Sequence, residues 1–325
     1  MKVLVESKSL AQRLRGRIPK EIEIIYPESG TDEELELLAH DVQVIVSTRL
    51  SADVARKASE LKLLQKTGAG VDDMPFDALR EEVYVSNTSG SNPVPLAEGA
   101  VALLLALAKR VVQRHAAFLN GRDESRGVLL QGKTVGILGM GSIGTEVAKR
   151  LKAFDMRVLG LRRSRDEKLR QELGIEWIGG REELPRILRE SDFLVITIPL
   201  TPETRGIIGN EEIAMMKNGA YIINVARAAV IQEKPLYESL KNGKLSGAAL
   251  DVWWKPHWWD PNWNPEGRKP AEQPFWELPN VICTPHNIGS TDSQSEASLK
   301  IIAENILRIK EGRPPINLVD KKLRY

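Results

Sequence analysis

The chain has 325 residues, which is long enough for two domains and a substantial core. Its charge is nearly balanced, with 46 Lys and Arg against 44 Asp and Glu, and no segment concentrates basic residues densely enough to predict a nucleic-acid groove. A single cysteine, Cys283, excludes an intrachain disulfide and a two-cysteine thiol site.

The first part of the chain predicts a small parallel-sheet unit. Strand-like runs alternate there with helical or loop segments, at Lys2–Glu6, Val42–Val46, Leu63–Lys66 and Val83–Ser86. The chain opens on the first of these runs and not on a signal-peptide pattern, so we expect a cytoplasmic protein. The apolar stretch Leu96–Ala108 is too short to cross a bilayer. It is apolar nearly all round, which predicts a helix buried between domains or against a second subunit of a homodimer.

A second series of strands begins at Thr134. Its predicted strands are Thr134–Leu138, Arg157–Leu161, Phe193–Ile198, Tyr221–Val225, Ala248–Asp251 and Val281–Cys283, and its predicted helices include Ser142–Phe154, Arg181–Arg189, Glu211–Met216 and Lys234–Asn242. We expect the last helix, Thr291–Glu311, to return to the first unit. The prediction is an α/β protein of two doubly wound parallel-sheet domains. A Rossmann cofactor domain, residues 93–291, is inserted in a smaller flavodoxin-like substrate domain, residues 1–92 plus 292–325.

A glycine-rich turn lies between the first strand and the first helix of this second series. Gly139 permits the tight turn, Gly141 removes the side chain that would keep the backbone off a pyrophosphate, and Gly144 lets helix and strand pack closely. A strand before the turn and a helix after it favour dinucleotide binding over an ordinary glycine-rich turn. The pyrophosphate would lie on the positive end of the helix. The predicted cofactor contacts here are Gly139, Gly141, Ser142, Ile143 and Gly144.

Cofactor choice is indicated where the next strand ends. Sites for NAD usually place an acidic residue there, about 20 residues beyond the turn, to bind the ribose 2′-hydroxyl. This chain has Arg162, Arg163, Ser164 and Arg165 instead. Guanidinium groups and a hydroxyl can bind a 2′-phosphate through charge-assisted hydrogen bonds, so the sequence favours NADP(H) and leaves NAD(H) possible. The alternative is a solvated basic loop.

With these elements placed, nearly the whole chain resembles the D-isomer-specific 2-hydroxyacid dehydrogenase family. That family includes glyoxylate and hydroxypyruvate reductases and phosphoglycerate, formate and phosphite dehydrogenases. The matching stretches are GAGVDD at 68–73, SNPVPLAEGAVALLLAL at 91–107, GKTVGILGMGSIG at 132–144, PLTPETRGIIG at 199–209, INVARAAVI at 223–231, GAALDVW at 247–253 and ELPNVICTPHNIGST at 277–291. The run from Arg163 to Arg165 also looks like the NADP-reading loop of archaeal glyoxylate reductases.

The resemblance implies a catalytic pair. Arg227 falls on the family's catalytic arginine, whose planar fork can hold a carboxylate and polarise a carbonyl together; a structural ion pair is the alternative. His286 matches the acid/base histidine, and imidazole can give or take a proton near neutral pH; a merely hydrogen-bonded histidine is the alternative. Asp251 matches a residue that contacts the nicotinamide carboxamide in relatives. Further implied cofactor contacts are Pro199, Thr204, Val225 and Ala226, and implied substrate contacts are Ala69, Gly70, Val71 and Asn92. No metal is expected.

The sequence departs from the family after Trp253. Relatives carry a Glu-Pro pair there whose glutamate binds the histidine and raises its pKa, whereas this chain has Lys255 or Pro256 at the glutamate position. Without that partner, the pKa of the histidine should fall toward or below its reference of about 6.5. Asp260 or Glu266, in the inserted loop, could substitute. Formate dehydrogenases also lack the glutamate, and hydride transfer from formate needs no proton shuttle.

Six of the seven tryptophans lie between Trp253 and Trp276. Their indoles could cap the substrate pocket, seal a subunit interface or pack the loop against the apolar helix. Our interpretation is an NADP(H)-preferring reductase of small 2-oxo acids, with glyoxylate or hydroxypyruvate as first substrates, and with no nucleic-acid or membrane partner. The alternatives are formate dehydrogenase-like hydride transfer and a nicotinamide-sensing, corepressor-like binding protein.

Overall fold

The structure, a computed structural model, describes residues 1–29, 31–123, 126–255, 269–291 and 294–324, without the side chains of residues 294 and 295. Its strands are β1 (Lys2–Val5), β2 (Glu23–Ile25), β3 (Val44–Ser47), β4 (Leu63–Lys66), β5 (Tyr84–Ser86), β6 (Thr134–Leu138), β7 (Arg157–Leu161), β8 (Trp177–Gly179), β9 (Phe193–Ile196), β10 (Ala220–Asn224), β11 (Leu245–Leu250) and β12 (Val281–Cys283). Its α-helices are α1 (Lys8–Arg15), α2 (Asp32–Leu38), α3 (Ala52–Lys57), α4 (Pro93–Ala108), α5 (Val111–Leu119), α6 (Ser142–Lys152), α7 (Glu167–Leu173), α8 (Leu184–Glu190), α9 (Asn210–Met215), α10 (Glu233–Lys241) and α11 (Gln294–Lys310).

The chain divides into two compact units. Unit 1 comprises Met1–Asn92 and Thr291–Tyr325, and unit 2 comprises Pro93–Ser290. Each unit is built on a parallel sheet with helices on its faces, so the predicted α/β fold class is confirmed. Within the described residues, no helix combines the length and the apolar character that crossing a membrane requires.

The sheet of unit 1 has the order β2-β1-β3-β4-β5, and each neighbouring pair is parallel. This is the flavodoxin-like order 2-1-3-4-5. Both faces are buried: Leu4 packs on one side with Ile45, and Val3 packs on the other with Ile306 of α11. Burial on both faces explains why β1 and β3 are nearly continuous apolar runs in the sequence.

The sheet of unit 2 has the order β12-β11-β10-β9-β6-β7-β8. Renumbered within the unit it reads 3-2-1-4-5-6-7 from the β8 edge, which is the Rossmann arrangement, and its switch point lies between β6 and β9. All its neighbouring pairs are parallel. The carboxyl ends of its strands therefore meet at one edge, which we call the carboxyl edge.

The long apolar helix α4 belongs to unit 2, where it packs against α6, β10 and β11. Its buried residues include Ala97, Leu104 and Leu107. Val94 and Ala102 are exposed, so the chain itself does not bury this helix on every side. Burial of these exposed positions against a second subunit stays a prediction.

Candidate active site

The glycine turn of unit 2 follows β6, whose five residues are all buried. Gly139 has a φ of +115°, and a Cβ there would lie 2.8 Å from the backbone carbon of Thr197. A Cβ on Gly144 would overlap the carbonyl oxygen of Gly139. These two positions accept only glycine because the turn, β9 and α6 pack directly against one another.

Gly141 has a different reason to be glycine. Its φ of −86° suits any residue, and a Cβ there would meet nothing within 4 Å. Gly141 is the N-cap of α6 and makes no side-chain cap to the first N–H groups of the helix. The first turn carries no acidic residue, and the last turn carries Lys149, Arg150 and Lys152. This is an uncapped positive helix end with room in front of it, and it fits a pyrophosphate.

The neighbouring loop after β9 is tied to this turn. Thr197 donates its hydroxyl to the Gly139 carbonyl at 2.7 Å. Thr204 donates to the carbonyl of Pro199 at 2.7 Å and accepts from the N–H of Thr201 at 2.8 Å. The hydroxyl of Thr204 thus closes the loop that carries Pro199, beside the switch point of the sheet.

The basic turn after β7 is also fixed to the glycine turn. The carbonyl of Leu161 accepts from the N–H groups of Gly139 and Met140, both at 2.9 Å. Arg162 forms an ion pair with Asp166, which also accepts from the N–H of Leu169 at 2.9 Å as the N-cap of α7. The acid nearest the end of β7 is therefore engaged within its own segment. Arg163 and Ser164 are exposed.

Arg227 lies in the turn that follows β10. The buried side chain of Asn224 brackets this turn: its Nδ2 donates to the Arg227 carbonyl at 3.0 Å, and its Oδ1 accepts from the N–H of Ala226 at 3.0 Å. Arg227 Nη1 donates to the Ala226 carbonyl at 2.9 Å, and Val225 is buried beneath the turn. Sequence reasoning missed Asn224, although a fully buried amide at the end of an apolar strand is a signal for such a role.

His286 follows β12 in a left-handed conformation, with a φ of +58°. This conformation is uncommon for a residue with a side chain and persists only where the surroundings impose it. The segment before it is fixed at Thr284, whose N–H donates to the Leu250 carbonyl at 3.0 Å and whose carbonyl accepts from Trp253 Nε1 at 2.9 Å.

Asp251 holds the rest of the His286 segment. Its side chain is buried, and its Oδ1 accepts from the hydroxyl of Thr284 at 2.7 Å, from the N–H of Asn287 at 3.1 Å and from the N–H of Ile288 at 3.2 Å. Burial raises the pKa of this carboxyl, while these hydrogen bonds and one from the backbone of His286 oppose the rise. The sequence predicted only a cofactor contact for Asp251, and that role stays a prediction.

Helix α4 packs on the same segment from the other side. A Cβ on Gly99 would lie 2.6 Å from the carbonyl oxygen of Ile288, and one on Gly289 would lie 2.6 Å from Leu96 Cγ. Two glycines thus allow the apolar helix and the His286 segment to touch.

Cys283 is the last residue of β12, three residues before His286. Burial raises the pKa of its thiol to about 12, which argues against a reactive thiolate there.

Of the two residues proposed for the position of the missing glutamate, the structure describes Lys255. Lys255 pairs with Glu272 at 2.7 Å on the surface, and its N–H donates to the Pro270 carbonyl. Pro256, Asp260 and Glu266 lie outside the described residues. The structure therefore shows a surface ion pair at one of the two positions proposed for the missing glutamate.

The described tryptophans have separate surroundings. Trp254 stacks on Phe275 at 5.1 Å between ring centroids and donates to the Ile231 carbonyl, and Trp253 is buried in the same core cluster. Trp276 is partly exposed. Two indoles thus pack into the core of unit 2 itself. Trp258, Trp259 and Trp263 lie outside the described residues.

In unit 1, the predicted substrate contacts Ala69, Gly70 and Val71 lie in the loop after β4. Thr88 donates its hydroxyl to the Thr67 carbonyl at 2.8 Å and its N–H to the Gly68 carbonyl at 3.1 Å, and Asn87 Nδ2 donates to the Ala69 carbonyl at 2.8 Å. The C=O and N–H of a trans peptide point in opposite directions. The N–H groups that follow these carbonyls therefore point away from Asn87 and Thr88, as an anion-binding loop requires.

The two ends of this loop are joined by an ion pair. Lys66, the last residue of β4, is buried, and its Nζ donates to both carboxylate oxygens of Asp73 at 2.6 Å and to the carbonyl of Thr48. Asn92, the remaining predicted substrate contact, is half-buried at the end of the first segment of unit 1, directly before α4.

The predicted residues of unit 2 share one edge of its sheet. Arg227, Asp251 and His286 follow β10, β11 and β12, which are adjacent, and the glycine turn follows β6. The predicted residues of unit 1 follow β4 or precede α4. Within the described parts of the chain, no group of three or more His, Cys, Asp or Glu side chains is arranged to hold a metal ion.

Comparison with known proteins identifies the family. The model of the D-isomer specific 2-hydroxyacid dehydrogenase NAD binding domain matches residues 101–287. This chain belongs to the D-isomer-specific 2-hydroxyacid dehydrogenase family. The resemblance recognised in the sequence is thereby confirmed.

Relatives in this family carry several activities. A glyoxylate reductase of Pyrococcus furiosus is 34% identical over 305 residues, covering 90% of this chain and 86% of the relative. A D-3-phosphoglycerate dehydrogenase of Methanocaldococcus jannaschii is 36% identical over 297 residues, covering 89% of this chain and 54% of the relative. The chain thus spans about half the length of that relative. The NADPH-dependent glyoxylate/hydroxypyruvate reductase of Sinorhizobium meliloti, solved with NADP and sulfate, has a TM-score of 0.82 and 26% identity, covering 100% of this chain and 99% of that one.

The glycine turn yields the first prediction. Gly144→Ala should lower the melting temperature, because its Cβ would overlap the Gly139 carbonyl. Gly141→Ala should keep the wild-type melting temperature but weaken NADPH binding by about tenfold or more, because its methyl would enter the space in front of α6. Thermal melts and fluorescence titrations check both, and wild-type NADPH affinity in Gly141→Ala would contradict the assignment.

The Asp251 carboxylate yields the second prediction. Asp251→Ala leaves the donors of the His286 segment without their acceptor and should cost about 2–4 kcal/mol of unfolding free energy. Asp251→Asn can keep the three bonds to Oδ1, but its Nδ2 would replace the Oδ2 that also faces the N–H of Ile288 at 3.3 Å, so it should lose less stability than Asp251→Ala. Burial raises the pKa of Asp251 in the folded protein above its unfolded value near 3.9. The stability gained from binding this proton is therefore complete below about pH 3.9 and is lost as pH rises through the folded-state pKa.

The Asn side chain of Asp251→Asn does not ionise, so this variant has no such pH-dependent loss of stability. The stability of Asp251→Asn relative to wild type should therefore increase from about pH 4 toward neutrality. Urea unfolding between pH 4 and 8 measures this. Parallel pH profiles for the two proteins would show that burial of this charge has no energetic consequence.

Proposed function

We propose that this protein is a nicotinamide-dependent D-2-hydroxyacid dehydrogenase that reduces small 2-oxo acids, with glyoxylate and hydroxypyruvate as first substrates and NADP(H) as the preferred cofactor. The balanced reaction is 2-oxo acid plus NADPH plus a proton, giving 2-hydroxy acid plus NADP⁺. The observation that carries the proposal is the placement of Arg227 and His286 after strands on either side of β11, at the edge that also holds the glycine turn. A bound nicotinamide supplies the hydride or accepts it.

Arg227 would bind the substrate. Its guanidinium presents a planar fork that matches a carboxylate and can also polarise a neighbouring carbonyl. Asn224 fixes the backbone on both sides of the turn that carries it, so the fork starts from a rigid base. A fixed donor needs little reorganisation as negative charge develops on the carbonyl oxygen.

His286 would move the proton. During reduction its imidazolium donates a proton to the oxygen that receives electron density, and during oxidation neutral imidazole takes that proton back. The left-handed backbone of His286 is maintained by the Asp251 carboxylate and by Thr284, so the position of the ring depends on buried contacts below it.

The loop after β4 would bind a carboxylate in unit 1. The outward-facing N–H groups that follow the bound carbonyls of Gly68 and Ala69 can donate to its oxygens. Such backbone donors would recognise the charge and shape of the carboxylate and would not contact the remaining groups of the substrate. This supports small 2-oxo acids as a class and does not select one among them.

The preference for NADP(H) rests on the basic turn. The end of β7 offers guanidinium groups where an NAD site would offer a carboxylate, and Asp166 is engaged by Arg162 and the start of α7. A 2′-phosphate placed there would meet positive charge. The NADPH-dependent reductase from Sinorhizobium meliloti, which has the same fold, is consistent with this preference.

Steady-state assays test the function. With NADPH we expect reduction of glyoxylate and hydroxypyruvate, and we expect His286→Asn and Arg227→Ala each to lower kcat/KM by about 100-fold or more. Arg189→Ala, at an exposed arginine near the end of α8 and before the amino end of β9, serves as the matched control. Formate oxidation exceeding hydroxy-acid oxidation would replace the proposal with formate chemistry. NADPH binding without turnover of any acid would favour a sensor.

We also propose that the protein forms a homodimer through α5. This helix of unit 2 has no buried residue, and its Phe118 and Leu119 are 78% and 68% exposed. Adjacent exposed apolar side chains of this size mark an interaction surface, and twofold symmetry is the commonest way to cover a patch with itself.

Size-exclusion chromatography with light scattering tests the dimer. Phe118→Asp should convert a dimer of twice the chain mass into a monomer, because the carboxylate would be buried without a partner. Leu37→Asp, at an equally exposed leucine of α2 in unit 1, should remain dimeric. A monomeric wild-type protein, or equal behaviour of the two variants, would contradict this interface.

A further inference from the structure

One carboxylate outside the predicted site is bound to the basic turn. Glu183 accepts from Arg165 twice, with Oε2 at 3.1 Å from Nε and Oε1 at 2.9 Å from Nη2. The same Oε2 accepts from the N–H of Gly180 at 3.1 Å. The Glu183 side chain is 18% exposed and that of Arg165 is 68% exposed. The acid is therefore anchored, and the base reaches outward from it.

The geometry leaves one side of the guanidinium for another acceptor. Glu183 occupies the edge formed by Nε and Nη2, and a guanidinium has five N–H donors in a fixed plane. The opposite edge, formed by Nη1 and the second hydrogen of Nη2, points away from Glu183. A planar group held at one edge presents the other in a defined direction, which suits a phosphate.

The Arg165–Glu183 pair lies on the part of unit 2 that carries the glycine turn. The N–H of Arg162 donates to the Gly179 carbonyl at 3.1 Å, so the basic turn is bound to the end of β8, directly before Gly180 and Glu183. The carbonyl of Leu161 joins the same turn to the glycine turn. Arg165 thus extends from the part of the carboxyl edge where the ribose 2′-position of a dinucleotide is read in this fold.

The ion pairs of Arg162 and Arg165 differ. Asp166 pairs with Arg162 four residues earlier in the same segment, so this ion pair ties the turn only to itself. Glu183 comes from a different segment and is fixed by Gly180, so it ties Arg165 to the body of the sheet. Of these two pairs, the second links an arginine of the basic turn to a different segment of the sheet.

We propose that Glu183 is a positioning residue for NADP(H) selectivity, which holds Arg165 so that its outer edge binds the 2′-phosphate. The inference rests on the proposed preference for NADP(H). The Glu183 carboxylate also repels a phosphate, but a phosphate on the outer edge of Arg165 would have the guanidinium between it and Glu183. Arg165 is 68% exposed, so solvent ions screen that repulsion. The loss of a fixed donor edge therefore outweighs the relief of repulsion when Glu183 is neutralised.

Calorimetric binding of adenosine 2′,5′-bisphosphate and of 5′-AMP to the full chain tests the role without turnover. Glu183→Gln should weaken binding of the bisphosphate by about three- to fivefold, as expected for loss of one partly exposed ionic contact, and should leave 5′-AMP unchanged. Glu182→Gln, at the exposed carboxylate next to it, is the matched control and should change neither ligand. Melting temperatures of all variants monitor the Gly180 contact.

Arg165→Met and the double variant complete the experiment. Arg165→Met should weaken the bisphosphate selectively, and adding Glu183→Gln to it should have no further effect, because Glu183 acts through Arg165. Tighter bisphosphate binding by Glu183→Gln, equal losses for both ligands, or additive losses in the double variant would each overturn the positioning role. If Arg165→Met and Arg163→Met both leave bisphosphate binding unchanged, the proposed NADP(H) preference itself is wrong.

Discussion

Parallel strand pairing is the constraint on which the candidate site depends. Every neighbouring pair in the sheet of unit 2 is parallel, so each strand must deliver its following turn to the same edge. The glycine turn and the turns that carry Arg227 and His286 can then share one edge although more than 140 residues separate Gly139 from His286 in the sequence, by their numbering. The chemistry of the site is set by which side chains occupy those turns.

Buried polar side chains at the strand ends fix the backbone of the turns that lie at this shared edge. Asn224 ends β10 and binds both sides of the Arg227 turn, and Asp251 follows β11 and binds the segment around His286. Each uses backbone groups that would otherwise lack a partner in the protein interior. The left-handed conformation of His286 costs free energy, and several simultaneous contacts to one carboxylate supply the restraint that maintains it.

Much of the fold could be predicted because both sheets are buried on two faces. The apolar runs of β3, β6, β7, β9 and β10 are strong signals, and their alternation with helices identifies parallel sheets. The edge strands β2 and β8 were missed. β2 has no buried residue, and β8 ends in Gly179 and is followed by Gly180, which is a pattern typical of a turn. The glycine turn was identified because Gly139 and Gly144 face steric limits that only glycine meets.

The contacts that orient the site could not be predicted, because they join segments that the sequence keeps apart. The link from Asp251 to Asn287 spans 36 residues, and the link from Arg165 to Glu183 spans 18. Neither acid stands out by spacing. Both carboxylates hold another group in place, and their surroundings suit that task in opposite ways. Asp251 is buried and fixes backbone N–H groups, where water cannot compete, whereas Glu183 is partly buried and holds an exposed guanidinium by one edge, which leaves the other edge open to a ligand.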